Sequence, residues 1–276
     1  KATTGKVDKT ATVEAKVAIV TVSDKSTPAN ATTVKFKVDV KEQKDKYTPT
    51  AGTTVKVGNI GTISQPDGEK IKNAVTVPNL SQEATRDGIT KILKDNGRVT
   101  AKNGKNYVTV EVAYPDGSKD EVDVAVDEVL KATPANPSKK AIEGREYTSG
   151  ETPVVTANKA DAKITSTTTN GLSVTPEGKV TGTPSGITWT DDSDEEKVVR
   201  IPVVVSHTGD TDVPVTVEVT VQRDTDHDGV ADKEDDDDDN DGIPDTKDST
   251  PKTATALTAT PANPSKKAIE GREYTS

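Results

Sequence analysis

The stretch VVRIPVVVSHTGDTDVPVTVEVTVQ, residues Val198–Gln222, decides the fold class. Apolar and polar residues alternate on both sides of the polar segment His207–Asp212. Such alternation is typical of strands with one buried face, and a short polar segment between two alternating runs indicates a hairpin. The stretch therefore predicts a long antiparallel β-hairpin that turns one face toward a core.

Shorter runs of the same kind precede this hairpin. Gly171–Gly186, GLSVTPEGKVTGTPSG, predicts two short strands around a Pro-Glu-Gly turn, and Thr53–Gly58, TTVKVG, predicts one strand. Tyr107–Val126, YVTVEVAYPDGSKDEVDVAV, predicts a hairpin around Pro115–Gly117. Short strands with frequent turns indicate an all-β chain of tandem immunoglobulin-like β-sandwich modules.

One stretch departs from the strand pattern. In SQEATRDGITKILKDNG, Ser81 has the character of a helix N-cap, and Ile89, Ile92 and Leu93 share one helical face. The pattern predicts a short helix near residues 81–96.

Composition favours several small domains over one large core. Only 3% of the 276 residues are aromatic, and Cys and Met are absent. Small modules can fill their cores with Val, Ile and Leu, and this chain has no disulfides to support them. No apolar run approaches the roughly 20 residues that span a bilayer.

The negative charge of the chain is concentrated in one segment. The formal net charge is −10, and residues 224–248 contain thirteen acidic residues and two lysines. The rest of the chain is therefore close to neutral. A nucleic-acid partner, which favours a basic face, is not expected.

Internal repeats divide the chain. Residues Ala132–Ser149, ATPANPSKKAIEGREYTS, recur identically at Ala259–Ser276, 127 residues later. A fainter repeat at an offset of 181 places the alternating run around Val20 on that around Ile201. We expect residues 1–43 to end a truncated immunoglobulin-like module, 44–131 and 132–222 to form two domains, 223–251 to be a linker, and 252–276 to begin the next repeat. The first residue, Lys1, indicates an excerpt of a longer protein.

The linker carries DTDHDGVADKEDDDDDNDGIPD, beginning at Asp224. The spacing D-x-D-x-D-G-x-x-D-x-x-D occurs twice, from Asp224 and from Asp237. Calcium takes about six to eight oxygen ligands, and magnesium demands a stricter octahedral geometry. The pattern predicts that Ca²⁺ binds to the side-chain carboxylates of ten aspartates and to two backbone carbonyls. The aspartates are Asp224, Asp226, Asp228, Asp232, Asp235, Asp237, Asp239, Asp241, Asp245 and Asp248, and the carbonyls are those of Val230 and Ile243.

The alternative interpretation is a solvated acidic linker, which is the usual character of a charge run. Two copies in register, each with Gly at the sixth place, favour the metal site. Without calcium, like charges are expected to repel and to leave the linker flexible. Calcium would then stiffen the joint between neighbouring sandwiches.

Three resemblances cover most of the chain. Residues 44–128 resemble a Rib/alpha-like domain through DKYTPT (Asp45–Thr50) and the hairpin Tyr107–Val126. Residues 132–222 are similar to a long relative of that domain through GLSVTPEGKVTGTPSG, Trp189 and EEKVVRIPVVV. The acidic loops resemble thrombospondin type 3 calcium repeats without their cysteines. They match EF-hand loops over nine positions but have Asp235 and Asp248 where those loops have Glu.

These resemblances imply an extracellular stalk on the cell wall of a Gram-positive bacterium, which spaces an adhesive tip from the wall. Its expected partners are calcium, neighbouring repeats, and host or cell-surface ligands bound by other regions. The alternative is an adhesin module that itself binds host or neighbouring-cell ligands. The lone Trp189 is either a core or edge residue of a sandwich or an exposed platform for sugars.

An enzyme is not expected. The two histidines, His207 and His227, lie in a hairpin turn and in the acidic segment, where solvated turn residues are common. The sequence shows no nucleophile elbow, no Cys nucleophile and no phosphate-binding loop.

Overall fold

The computed structural model describes residues 16–23, 31–38, 41–78, 88–255, 270 and 272. The chain divides into two compact units, residues 1–129 and 130–276. Strands dominate the described part of both units, and they pair into small sheets. The predicted all-β fold class is confirmed.

The first unit begins with an antiparallel hairpin in which Val20 lies opposite Val34. Its strands are β1 (Lys16–Ser23), β2 (Ala31–Val38), β3 (Thr50–Ala51), β4 (Val55–Val57), β5 (Val75–Thr76), β6 (Thr90–Leu93), β7 (Val99–Lys102), β8 (Lys105–Ala113) and β9 (Lys119–Glu128). Its helices are α1 (Gln65–Asn73) and two 3-10 turns at Gln43–Asp45 and Lys94–Gly97.

The hairpin of β8 and β9 organises the first unit. Its five-stranded sheet has the order β4-β9-β8-β6, and β7 also pairs with β8. The predicted turn is present: the N–H of Gly117 donates to the carbonyl of Tyr114 at 2.9 Å. Val108, Val110 and Val112 are fully buried on one face of β8, so the alternation in the sequence marks the core.

The helix predicted near residues 81–96 is wrong where the structure describes that range. Residues 81–87 lie outside the described residues, while β6 and a 3-10 turn occupy 90–97. Leu93 pairs with Val110 of β8 and packs against the core, whereas Ile92 is 51% exposed on the opposite face. Pairing with β8 therefore overrides the helical pattern.

The α-helix of this unit lies earlier, at α1. Ser64 caps it by accepting the N–H of Asp67 at 3.3 Å, and Pro66 occupies the first turn, where proline is favoured. Ile71 is fully buried against the sheet. None of the helices in the described ranges has the length and apolar character needed to cross a bilayer.

Asp67 ties α1 to the sheet, and its loss is expected to destabilise the first unit. Its carboxylate accepts the N–H of Gly58 at 2.8 Å and pairs with Lys70 at 2.8 Å. The Lys70 hydrogen bond, followed by that of Gly58, lowers the pKa of Asp67. Stability from this carboxylate is therefore present above the unfolded-state pKa and is lost as the pH falls through the folded-state pKa.

We expect Asp67→Ala to lower the free energy of unfolding by about 2 kcal/mol at neutral pH, because the buried carboxylate accepts charge-assisted hydrogen bonds that alanine cannot replace. Glu69→Ala is the matched control, since Glu69 is exposed and pairs only with Lys72 among the contacts described for it. Urea unfolding followed by circular dichroism measures both variants. Equal losses in the two variants, or no loss at pH 7, would contradict the assignment.

The second unit is a sandwich that joins directly to the acidic segment. Its strands are β10 (Ala132–Pro134), β11 (Ala141–Ile142), β12 (Tyr147–Thr148), β13 (Val155–Ala157), β14 (Lys163–Ser166), β15 (Leu172–Val174), β16 (Val180–Gly182), β17 (Glu196–Ser206) and β18 (Val213–Gln222). One sheet has the order β11-β18-β17-β14 and another has the order β12-β16-β15, while β10 pairs with β13.

The core of this unit lies between the sheets. The predicted hairpin is β17 and β18, with Ile201 opposite Val217 and Val203 opposite Val215. Its inward residues pack with Leu172 of the second sheet, which is fully buried. The parallel pairing of β11 with the end of β18 brings residues 141–145 close to the point where the acidic segment begins.

Candidate metal centre

The acidic segment, residues 224–248, leaves the sandwich at the end of β18. The carbonyl of Gln222 accepts the N–H of Glu143, and the N–H of Arg223 donates to the carbonyl of Glu195. Both hydrogen bonds hold the last residues of the strand in place. Asp224, the next residue, is only 1% exposed, so the start of the segment is fixed by the sandwich.

The segment contains two loops with the same backbone conformation, residues 224–235 (the first loop) and 237–248 (the second loop). His227 and Asn240, thirteen residues apart, both have positive φ, at 63° and 56°. Gly229 and Gly242 follow with φ of 101° and 91°. A φ near 100° is unfavourable for any residue with a Cβ, which explains the glycine at the sixth place of each loop.

Carboxylates brace each loop from inside. In both loops the first Asp accepts the N–H of the glycine, and the third and fifth positions accept the N–H two residues later. In the first loop, the N–H groups of Gly229, Asp228 and Val230 donate to Asp224 (3.1 Å), Asp226 (2.9 Å) and Asp228 (2.7 Å), respectively. In the second loop, those of Gly242, Asp241 and Ile243 donate to Asp237 (2.9 Å), Asp239 (3.2 Å) and Asp241 (2.9 Å).

This bracing gathers three carboxylates in each loop. One oxygen from each of Asp224, Asp226 and Asp228 lies within 4.8 Å of the other two, and we call these residues the first cluster. The second cluster, Asp237, Asp239 and Asp241, meets the same limit. The structure therefore brings together six of the predicted ligand side chains, three in each loop.

Unpartnered oxygens in the clusters fit a bound cation. Oδ1 of Asp224 and Oδ2 of Asp239 are buried and have no hydrogen-bond partner among the described residues. Burial raises the pKa of Asp224, and burial followed by the charges of Asp241, Asp248 and Asp237 raises that of Asp239. Buried polar atoms are normally satisfied, and like charges at this distance are unfavourable without a counter-ion. A divalent cation with oxygen ligands would satisfy both conditions.

The aspartates at the ninth place of each loop, Asp232 and Asp245, accept backbone hydrogen bonds, and their role as ligands stays a prediction. Oδ1 of Asp232 accepts the N–H of Thr225 at 2.7 Å, and Oδ1 of Asp245 accepts the N–H of Asp238 at 2.9 Å. Neither residue belongs to a cluster. Each carboxylate closes its own loop by joining the ninth position to the second.

The remaining predicted ligands are placed differently in the two loops. Oδ1 atoms of Asp235 and Asp248 accept the N–H groups of Asp237 and Thr250, at 3.1 and 2.9 Å. Oδ2 of Asp248 is buried without a partner, and its charge contributes to the raised pKa of Asp239. Asp248 therefore lies beside the second cluster. The carbonyl ligands at Val230 and Ile243 stay predictions.

The sandwich also holds the first loop through residues that the sequence pattern did not indicate. A Cβ atom on Gly229 would lie 1.9 Å from a guanidinium nitrogen of Arg145, so the two residues are in tight contact. Ala231 is 1% exposed, whereas its neighbour Val230 is 42% exposed. The small Ala231 side chain is therefore the apolar residue that the first loop buries.

Trp189 supports the same attachment. Its Nε1 donates to Glu143 at 2.6 Å, and the charged groups of Lys197 and Arg223 lie 5.5 and 5.8 Å from the ring centroid. The side chain is half-buried. These contacts favour the interpretation of Trp189 as an edge residue of the sandwich, beside the residue that precedes the acidic segment.

Comparisons with known proteins identify one domain. Residues 43–129 match the family model of the Rib domain. A search of the curated proteins found no match.

Solved structures are similar over larger parts of the chain. Mouse cadherin-23 EC22–24 is 14% identical, with 64% of this chain and 67% of that chain covered and a TM-score of 0.25. The insect immune protein hemolin is 12% identical, with 63% and 50% covered and a TM-score of 0.28. Drosophila N-cadherin EC1–4 is 12% identical, with 74% and 57% covered and a TM-score of 0.25. The chain spans about half to two thirds of the length of these structures.

Proposed function

We propose that this chain, whose residues 43–129 match the Rib domain model, is the repetitive stalk region of a surface protein anchored to the cell wall of a Gram-positive bacterium. The stalk spaces an adhesive tip from the wall, and calcium bound by the acidic segment stiffens it. Rib domains are characteristic of surface proteins of Gram-positive bacteria. The identical stretches at Ala132–Ser149 and Ala259–Ser276 support a region built by repetition.

The proposal divides the chain into five parts. They are the end of an immunoglobulin-like module (1–43), the Rib domain (44–131), a long Rib-type domain (132–222), the calcium-binding segment (223–251) and the start of another repeat (252–276). Modules in series, each with its own core, suit a spacer, because extension requires no shared core. We assign no catalytic step to any of these parts.

One observation carries the calcium assignment: the two loops repeat the same carboxylate geometry at an interval of thirteen residues. Each cluster offers three carboxylates, and an Oδ atom in each is buried without a partner. Calcium tolerates the irregular oxygen geometry of such loops better than magnesium, which requires a near-octahedral shell. We assign one calcium ion to each cluster.

Isothermal titration calorimetry of the whole chain is expected to show two calcium ions per molecule. Dissociation constants of about 10⁻⁴ to 10⁻³ M are typical of extracellular calcium modules. Asp224→Asn is expected to remove the first ion and Asp237→Asn the second, because each substitution removes a charged oxygen ligand from one cluster.

Asp236→Asn is the control for these substitutions. Asp236 lies between the loops, is exposed and belongs to neither cluster, yet the variant loses the same charge. We expect it to bind two ions with little change in affinity. Equal weakening in all three variants would indicate a diffuse counter-ion effect and would overturn the assignment, as would the absence of measurable binding by the unaltered chain.

A further inference from the structure

A single lysine joins the two acidic loops to the sandwich. Nζ of Lys252 lies 2.6 Å from Oδ2 of Asp232, 3.0 Å from Oδ2 of Asp238 and 3.2 Å from Oε1 of Glu195. Asp232 belongs to the first loop and Asp238 to the second, while Glu195 immediately precedes β17. One ammonium group therefore contacts both acidic loops and the sandwich.

Three of these four charged side chains lie away from solvent. The side chain of Lys252 is 5% exposed, that of Asp232 is 2% exposed and that of Asp238 is 7% exposed. Oε2 of Glu195 and Oδ1 of Asp238 are also buried, with no hydrogen-bond partner in the described part of the chain. Asp238 has Lys252 as its partner among the ion pairs described for it, whereas Asp232 also has Arg223 at 3.5 Å and Glu195 is 38% exposed.

The energetics of buried ion pairs make Lys252 important for the position of the two acidic loops on the sandwich. Removing a charge from water carries a penalty of several kcal/mol, which is offset only while its partners stay in place. Removal of Lys252 takes the described cation from the buried Asp238 and leaves Asp232 with only the longer contact to Arg223, which disfavours the docked arrangement. Without Lys252, the acidic groups are expected to separate and become hydrated.

We propose that Lys252 is a built-in cation that docks both acidic loops on the second sandwich before any calcium binds. This inference goes beyond the proposed calcium sites, because Lys252 contacts neither cluster and its ion pairs need no metal. Calcium would then act on loops that already have a fixed position on the sandwich. Lys252 is a positioning residue in this scheme, and Asp232 contacts both the lysine and Thr225.

Hydrogen exchange in the presence of a calcium chelator tests this role. The informative amides are those of Asp232 and Asp245, which donate to the carbonyls of Arg223 and Asp236. In the unaltered chain these amides are expected to remain protected without calcium. In Lys252→Met we expect their exchange to accelerate about tenfold or more, as local opening becomes easier.

Lys233→Met is the matched control. Lys233 lies in the same acidic segment, but its side chain is 59% exposed and its contact with Glu196 is 3.9 Å long. We expect exchange within about twofold of the unaltered chain, as for other weak surface pairs. Amides of β17 and β18 report whether the sandwich itself remains folded.

Should Lys252→Met unfold the sandwich, Glu195→Gln provides the second test, since it removes the sandwich partner and leaves both loops intact. That variant is expected to accelerate exchange of the loop amides while the β17 and β18 amides stay protected. Unprotected loop amides in the unaltered chain without calcium, or unchanged exchange in these variants with a folded sandwich, would overturn the inference. A calcium titration of the unaltered chain judges the proposed metal sites separately.

Discussion

Calcium at one hundred times its dissociation constant is expected to raise the free energy of unfolding of the second unit by about 5 kcal/mol. A ligand that binds only the folded state contributes about 2.7 kcal/mol for each site at this ratio. The two clusters depend on the left-handed turns at residues 227–229 and 240–242, and an unfolded chain does not maintain them. Calcium is therefore expected to bind the folded state preferentially.

The lone tryptophan provides the signal for this measurement. Trp189 belongs to the second unit and contacts Arg223, which precedes the first loop. Urea unfolding followed by its fluorescence, with calcium and with chelator, reports the stability of that unit without interference from the first. The double variant Asp224→Asn, Asp237→Asn is expected to lose the calcium effect, whereas Asp236→Asn should retain it. A shift of the same size in the double variant would show that the ions bind elsewhere.

The second large effect is expected from Gly171→Ala, which should lower the free energy of unfolding by about 4 kcal/mol. Gly171 has a φ of 75°, and a Cβ atom there would lie 1.9 Å from the carbonyl oxygen of Thr183. The left-handed conformation costs an alanine about 1–2 kcal/mol, and overlap with fixed backbone adds about 1–3 kcal/mol. The overlap cannot be relieved by a rotamer change, because the clashing atom belongs to the backbone.

Gly186→Ala separates the two contributions. Gly186 has a φ of 66°, close to that of Gly171, but a Cβ atom there meets nothing within 4 Å. We expect a loss of about 1 kcal/mol, from backbone conformation alone. Both variants are measured by urea unfolding at saturating calcium. Similar losses in the two would mean that the approach of Thr183 adds nothing.

The strands could be predicted from the sequence, but the helix could not. In β8 the buried Val108, Val110 and Val112 repeat at every second residue, which only a strand explains. Ile89 and Leu93 are four residues apart, a spacing that places them on one face in a helix and also in a strand. Ile92 favoured the helix, yet it is exposed. The actual helix, α1, buries a single large apolar residue, Ile71, and so gives little periodic signal.

The two carboxylate clusters could be predicted from the sequence only in part. The spacing D-x-D-x-D-G predicted the carboxylates that meet, because the glycine turn determines where the preceding side chains point. It could not predict that Asp232 closes its loop through Thr225, since either role requires the same residue type. Lys252 lies 57 positions from Glu195, and no local pattern connects them.

The positions of Arg145 and Gly229 relative to the repeated stretch have a consequence for recombination. Arg145 belongs to the 18-residue stretch that recurs at Ala259–Ser276, and Gly229 lies between the two copies. A recombination event between the copies would therefore insert or delete one sandwich together with both of its acidic loops. The length of the protein would change by whole steps, and each copy of this sandwich would keep its own pair of acidic loops.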